Sequence, residues 1–129
     1  MHMSRARFRW AAALAGMAVL APAAPAQAAG PTGFYMFTVT PESGPVTAKS
    51  LFCDPDGGMP EAARACDQLE SVDGEVGNIP PKTAPCTQEH APVQVSAHGN
   101  WRGNPREFER TFPNRCVAAR DTGGILFSE

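Results

Sequence analysis

The segment FYMFTVT, residues 34–40, decides the class of fold. Aromatic and β-branched side chains make up most of it, a composition typical of a β-strand. Turn-forming residues follow at positions 41–45, and residues 46–53 again have the composition of a strand. Because a connection this short joins antiparallel strands, we expect the fold to be built around an antiparallel pair.

Two later segments have the pattern of a helix. The first begins with Pro60 and Glu61, a proline and an acid that favour a helix start, and keeps helical spacing of its apolar residues to about Val72. The second is short, covers residues 114–120, and begins with Asn114, a residue type that caps helices. We therefore expect one or two helices among the strands.

Three further segments are predicted to be strands. Residues 93–98 alternate apolar with polar side chains, and a hairpin turn is expected at residues 101–104. Residues 107–112 place two phenylalanines on one face, and residues 124–127 are expected to form a closing strand. The chain thus predicts an α+β domain with four or five antiparallel strands.

The amino-terminal residues are typical of a secretory signal peptide. Three arginines occur within the first nine residues, an apolar run covers residues 10–21, and small residues flank Gln27. We expect a signal peptide over residues 1–28 and a secreted, extracellular domain over residues 29–129. The apolar run has twelve residues, fewer than the ~20 that span a bilayer, so a membrane anchor is not expected.

The predicted mature domain is acidic. Residues 29–129 contain eight Lys and Arg against thirteen Asp and Glu, a net charge of 8 − 13 = −5. Nucleic acids and anionic membranes bind basic surfaces, so neither is an expected partner.

All four cysteines lie in the predicted mature domain: Cys53, Cys66, Cys86 and Cys116. Their even number and an oxidising compartment predict two disulfides, for which the sequence alone allows three pairings. Each bridge stabilises a fold of this size by roughly 3–4 kcal/mol on the chain-entropy model.

The segment APCTQEHAP, residues 84–92, is the strongest candidate for function. It is short, polar and flanked by Pro85 and Pro92, and it contains Cys86. Pro92 biases Ala91 toward extended backbone, so helix is disfavoured here. A protease active site binds extended, exposed segments, and a disulfide tether that retains the cut ends would make such a segment an inhibitor.

Several motifs occur in a fixed order along the predicted mature domain. They are Leu51-Phe52-Cys53, Ala65-Cys66-Asp67-Gln68-Leu69, Gly99-Asn100-Trp101-Arg102-Gly103, Phe108-Glu109-Arg110-Thr111-Phe112-Pro113-Asn114-Arg115-Cys116 and Ile125-Leu126-Phe127. Together with Cys86, which Pro92 follows six residues later, they resemble the Streptomyces subtilisin inhibitor family from about Phe34 onward.

This resemblance implies a five-stranded antiparallel sheet with two short helices and two disulfides, Cys53–Cys66 and Cys86–Cys116. It also implies a homodimer formed through the sheets. The implied function is that of a secreted inhibitor of subtilisin-like serine proteases, which is not itself an enzyme and uses no cofactor.

The resemblance implies a reactive bond between Gln88 and Glu89. The implied reactive loop also contains Cys86, Thr87, His90, Ala91 and Pro92. Family members often have proline and then methionine or lysine before the bond, where this chain has Thr87 and Gln88. A glutamine offers no cation to an acidic primary pocket, so a trypsin-like target is disfavoured, whereas an apolar, permissive pocket can accept it.

The same residues allow other interpretations. The loop could be an ordinary solvated connection, and the cysteines could serve only to stabilise the fold. His90, His98 and Cys86 lack the paired spacing of metal ligands, so we expect no metal, and no nucleophile motif surrounds a serine. A binding protein of the same fold could instead inhibit a metalloprotease through another surface, or offer Gln88 to a transglutaminase.

Overall fold

The computed structural model describes residues 13–23 and 30–129. Residues 13–23 are exposed and contain no helix or strand. The basic residues and the cleavage site of the expected signal peptide fall on residues 1–12 and 24–29, outside the described part of the chain. Among the residues that are described, no helix is long and apolar enough to cross a membrane.

A single sheet organises the described residues, and its strands are all antiparallel. They are β1 (Gly33–Pro41), β2 (Thr47–Cys53), β3 (Val93–Trp101) and β4 (Asn104–Phe112). Their order across the sheet is β2-β1-β3-β4. β1 pairs with β3 over its full length, from Gly33 opposite Trp101 to Pro41 opposite Val93. The two predicted hairpins therefore meet at the centre of the sheet.

The expected fifth strand is absent from the described residues, so the prediction of a five-stranded sheet was wrong. Residues 124–127 form turns instead, after Gly123 and Gly124, whose φ values of 98° and 85° belong to left-handed backbone. The backbone N–H of Ser128 donates to the carbonyl of Ile125, which closes a turn. The three consecutive apolar side chains are all buried, whereas a strand would direct the middle one to the opposite face (Ile125, Leu126, Phe127).

Two short helices accompany the sheet, α1 (Ala62–Ser71) and α2 (Arg115–Asp121). α1 begins later than expected because Glu61 has left-handed backbone with a φ of 57°, which a right-handed helix cannot include. α2 agrees with its prediction: Asn114 precedes it, and the Asn114 side chain accepts a hydrogen bond from the backbone N–H of Val117 at 2.9 Å.

One face of the sheet forms the core with both helices and the carboxyl-terminal turns. Buried side chains alternate along the two central strands (Tyr35, Phe37, Val39, Val93, Val95, Ala97). Trp101 is 1% exposed and lies against Gly74, where a Cβ atom would come within 2.4 Å of the Trp101 Cβ. The Tyr35 hydroxyl donates to the Gly74 carbonyl at 2.7 Å, and burial raises the pKa of Tyr35 to about 12.

The other face of the sheet is open to solvent. Met36 on β1 and Phe52 on β2 are 39% and 41% exposed, and the rings of Phe34 and Phe52 lie 5.1 Å apart. On the neighbouring strands, His98 Nδ1 lies 3.6 Å from a carboxylate oxygen of Glu107. This face therefore carries an apolar cluster on β1 and β2 (Phe34, Met36, Phe52) and a polar pair on β3 and β4 (His98, Glu107).

The two ends of the sheet differ. The disulfide Cys53–Cys66 ties α1 to the end of β2, close to Trp101. At the opposite end, where β1 finishes at Pro41 and β3 begins at Val93, the long connection from α1 enters the sheet. This second end carries the candidate site.

Candidate functional site

The candidate site is the irregular segment that precedes β3. Ile79 is buried and marks its start, and residues 80–92 contain no helix or strand. Residues 87–91 are all exposed, and this includes both residues of the expected reactive bond, Gln88 and Glu89. The seven residues of the predicted loop thus lie on one irregular segment, exposed at its centre and half-buried at its two ends, Cys86 and Pro92.

A disulfide and a backbone hydrogen bond fix the segment before the bond. Cys86 is joined to Cys116, the second residue of α2, with Cα atoms 5.7 Å apart. Further upstream, the N–H of Lys82 donates to the carbonyl of Arg120 at the end of the same helix, at 2.8 Å. Two points along α2 therefore hold the acyl side of the Gln88–Glu89 bond.

Backbone hydrogen bonds fix the segment after the bond. The N–H of Ala91 donates to the carbonyl of Pro113 at 2.9 Å, and the carbonyl of Pro92 accepts from Glu42 at 3.0 Å. Val93 then enters the sheet between β1 and β4. The amine side is thus attached to the sheet itself.

The side chain of Asn114 connects both sides of the bond. Its Nδ2 atom donates to the carbonyls of Thr87 and Glu89, at 3.1 and 2.8 Å. Its Oδ1 atom accepts a hydrogen bond from the N–H of Val117, so the helix fixes the oxygen of the amide while the loop carbonyls fix its nitrogen. Asn114 is 4% exposed. Both N–H groups and the oxygen of this buried amide are therefore hydrogen-bonded, and the amide holds Thr87 and Glu89, the residues on either side of Gln88, at a fixed spacing.

Sequence reasoning predicted Asn114 only as a helix cap and missed its contacts with the loop. The available signal was position: Asn114 precedes Cys116 by two residues, and the family resemblance pairs Cys116 with Cys86. A residue this close in sequence to Cys116 must lie near the loop, because the bridge joins Cys116 to Cys86 of the loop. Its two donor contacts depend on the loop conformation, which local sequence patterns do not give.

The charged groups around the loop are unevenly paired. Arg115 lies 3.4 Å from Glu129, and Arg120 lies 2.9 Å from Asp121. By contrast, no ion pair in the described part of the chain involves Glu42 or Glu89. The exposed surface after the Gln88–Glu89 bond is therefore negative.

The histidines and cysteines that a metal site would need lie in separate places. His90 lines a cleft beside the loop, whereas His98 lies on the open face of the sheet, beside Glu107. The described residues bring Asp56 close to Cys53 and Cys66, but both sulfur atoms form the disulfide. A disulfide sulfur lacks the thiolate that binds metal.

An exposed segment held on both sides of one peptide bond by the same small scaffold defines a class of protein. It is the class of proteinaceous inhibitors that present a substrate-like loop to a protease. The chain belongs to the subtilisin inhibitor-like family, whose model matches residues 35–114. This confirms the resemblance and places the chain among protease inhibitors, not enzymes.

Related proteins support the same assignment. A Streptomyces avermitilis protein named as a serine protease inhibitor is 40% identical over 121 residues, which cover 89% of this chain and 82% of that protein. The subtilase-type protease inhibitor of Streptomyces coelicolor is 35% identical over 88% of this chain and 84% of its own length.

A solved structure has the same fold. Streptomyces caespitosus sermetstatin, crystallised in complex with Bacillus licheniformis subtilisin, matches with a TM-score of 0.56 and 29% identity. The match covers 73% of this chain and 97% of sermetstatin. These comparisons do not favour the metalloprotease or transglutaminase alternatives.

Proposed function

We propose that this chain inhibits a secreted subtilisin-like serine protease by binding as a substrate through the Gln88–Glu89 bond. The observation that carries the proposal is the bracing of this bond. Asn114 contacts the residues on both sides of Gln88, while the Cys86–Cys116 bridge and β3 hold the two flanks.

Rigidity gives the loop its affinity. A serine protease binds its substrate in extended form, with the carbonyl before the scissile bond directed into the oxyanion hole. A free peptide loses conformational entropy when it adopts this shape, whereas a braced loop has lost that entropy on folding. Gln88 would enter the primary pocket, with Thr87 and Cys86 on the acyl side and His90, Ala91 and Pro92 beyond Glu89 on the amine side.

The same bracing makes cleavage unproductive. Attack of the protease serine on the Gln88 carbonyl would form an acyl-enzyme and free the amine of Glu89. That amine remains attached to the sheet through Ala91 and Pro92, so it stays near the acyl carbon. An intramolecular amine has a high effective concentration, so resealing of the bond competes with hydrolysis.

The proposal includes export. Residues 1–28 would direct secretion and be removed, leaving residues 29–129 as the extracellular inhibitor. The sequence pattern of these residues supports this, together with two disulfides that an oxidising compartment allows.

The proposal also includes a homodimer formed through the open face of the sheet. The helices cover only the opposite face, and Met36 and Phe52 remain exposed on the open one. A second copy would bury these side chains. The dimer leaves the loop free because the loop lies at the end of the sheet.

The test is titration of subtilisin activity with the mature domain. We expect stoichiometric, reversible inhibition by the wild type. Gln88→Met should bind more tightly, because an apolar side chain gains roughly 1–2 kcal/mol on burial, or about five- to thirtyfold. Gln88→Pro should abolish inhibition, because proline fixes φ and removes a backbone donor. Asn104→Met, which replaces an exposed polar residue at the far end of the sheet, is the control and should leave inhibition unchanged.

Equal inhibition by the wild type and Gln88→Pro would show that contact occurs through another surface. The proposal for the Gln88–Glu89 bond would then be wrong, even though the family assignment would stand.

A further inference from the structure

The turn between β1 and β2 lies against the amine side of the loop. The N–H of Glu42, at the start of this turn, donates to the carbonyl of Pro92 at 3.0 Å. Residues 41–43 and residues 89–93 line the same cleft, which has a volume of about 410 Å³. Turn and loop therefore form a continuous surface at this end of the sheet.

The whole turn is accessible. Residues 42–48 are exposed, and Val46 keeps 58% of its surface in solvent. A stable protein–protein interface buries about 800 Å² on each partner and involves roughly 20–30 residues a side. The seven residues of the loop are too few for an interface of that size. Neighbouring segments must contribute, and the turn is bonded directly to the loop.

The turn and the loop carry charge of one sign. Glu42 and Glu89 both line the cleft, and neither forms an ion pair in the described residues. By contrast, Arg115 pairs with Glu129 and Arg120 pairs with Asp121. A partner that approaches this surface is favoured if it presents cations, because opposite potentials steer association.

We propose that residues 42–46 form a second contact segment for the inhibited protease, and that Glu42 and Glu89 select a protease with lysine or arginine on the surface that receives the amine side. This inference rests on the proposed function, since the turn would contact the same protease that binds the loop. It adds a contact segment and a charge preference that the loop sequence alone does not contain.

Hydrogen exchange tests the contact. The mature domain is measured alone and in complex with subtilisin, with exchange followed by mass spectrometry. We expect slower exchange in the peptide that covers residues 42–47, together with the loop, and no change in the middle of α1. An unprotected turn in a complex that protects the loop would overturn the inference and leave the proposed function intact. If no complex forms on gel filtration, both fail together.

Association rates test the charge preference. Two probes are compared, subtilisin and a subtilisin variant with two lysines introduced on its amine-side rim. Glu42→Gln should slow association with the lysine variant about two- to fivefold more than with subtilisin, the range of one exposed charge pair. The difference should shrink as salt is added.

Asp67→Asn is the matched control. Asp67 is exposed on α1, has no ion pair in the described residues, and lines a different cleft beside Trp101, at the far end of the sheet. The nine residues of β1 separate the two ends by about 26 Å, at ~3.3 Å for each of eight steps. Both variants remove one negative charge, so equal rate changes for Glu42→Gln and Asp67→Asn would show that only net charge matters and would overturn the preference.

Discussion

Replacing Asn114 by aspartate separates the two roles of this side chain. The aspartate keeps an oxygen that can accept from the N–H of Val117, so α2 retains its cap. It loses the Nδ2 donor, and a carboxylate oxygen then faces the carbonyls of Thr87 and Glu89 at the present distances of 3.1 and 2.8 Å. The substitution therefore releases both sides of the Gln88–Glu89 bond without removing the helix cap.

The expected loss follows from two hydrogen bonds. Each neutral hydrogen bond contributes about 1 kcal/mol net, so losing two weakens the braced state of the loop by about 2 kcal/mol. At 1.4 kcal/mol for each factor of ten, the inhibition constant should rise about 30-fold. Hydrolysis should rise as well, because the freed Glu89 amine would leave the acyl carbon more often.

Two measurements check this prediction. The inhibition constant against subtilisin gives the affinity, and mass spectrometry of the complex over time gives the fraction cut after Gln88. Asn104→Asp, an exposed asparagine in the hairpin at the far end of the sheet, is the control for the added charge. If Asn114→Asp inhibits with the wild-type constant and stays uncut, the bracing argument is refuted.

Three further predictions concern the bridge, the dimer and the core. Selective reduction of Cys86–Cys116 should convert the inhibitor into a substrate that subtilisin cuts to completion, which gel electrophoresis would show; persistent inhibition after reduction would contradict this. Met36→Asp on the open sheet face should give a monomer by light scattering at micromolar concentration where the wild type is a dimer, and a monomeric wild type would remove the dimer from the proposal. Burial raises the pKa of Tyr35 to about 12, so its protonated hydroxyl contributes stability that is present in full below pH 10 and is lost as the pH rises towards 12. Chemical denaturation over this range should show that the free energy of unfolding falls with pH, and that it falls less in Tyr35→Phe.

The strands of the sheet were predictable where one face is buried and the other is open. β3 alternates buried and accessible side chains from Val93 to Ala97, which is the pattern that its sequence shows. The segment Ile125-Leu126-Phe127 has the apolar composition of a buried strand but no alternation, and the structure buries all three side chains in turns. Composition alone therefore predicted a strand that the backbone after Gly123 and Gly124 does not form.

The loop shows a different limit. The sequence indicated an extended, exposed segment with one anchor at Cys86, because prolines and cysteines have strong local effects. The remaining anchors are contacts between residues far apart in the chain, such as Pro92 with Glu42 and Ala91 with Pro113. Local patterns cannot give such pairs, since each depends on how the sheet brings its strand ends together.

This arrangement should allow the loop residues to be replaced while the scaffold persists. Apart from the Cys86 bridge, the contacts that hold the loop are made to its backbone: Asn114 binds two carbonyls, and the contacts of Ala91 and Pro92 also use backbone atoms. The side chains of Thr87, Gln88 and Glu89 take no part in these contacts, so their replacement should change which protease is bound without releasing the loop. Thr87 and Gln88 are thus positions where the structure places little constraint on side-chain identity.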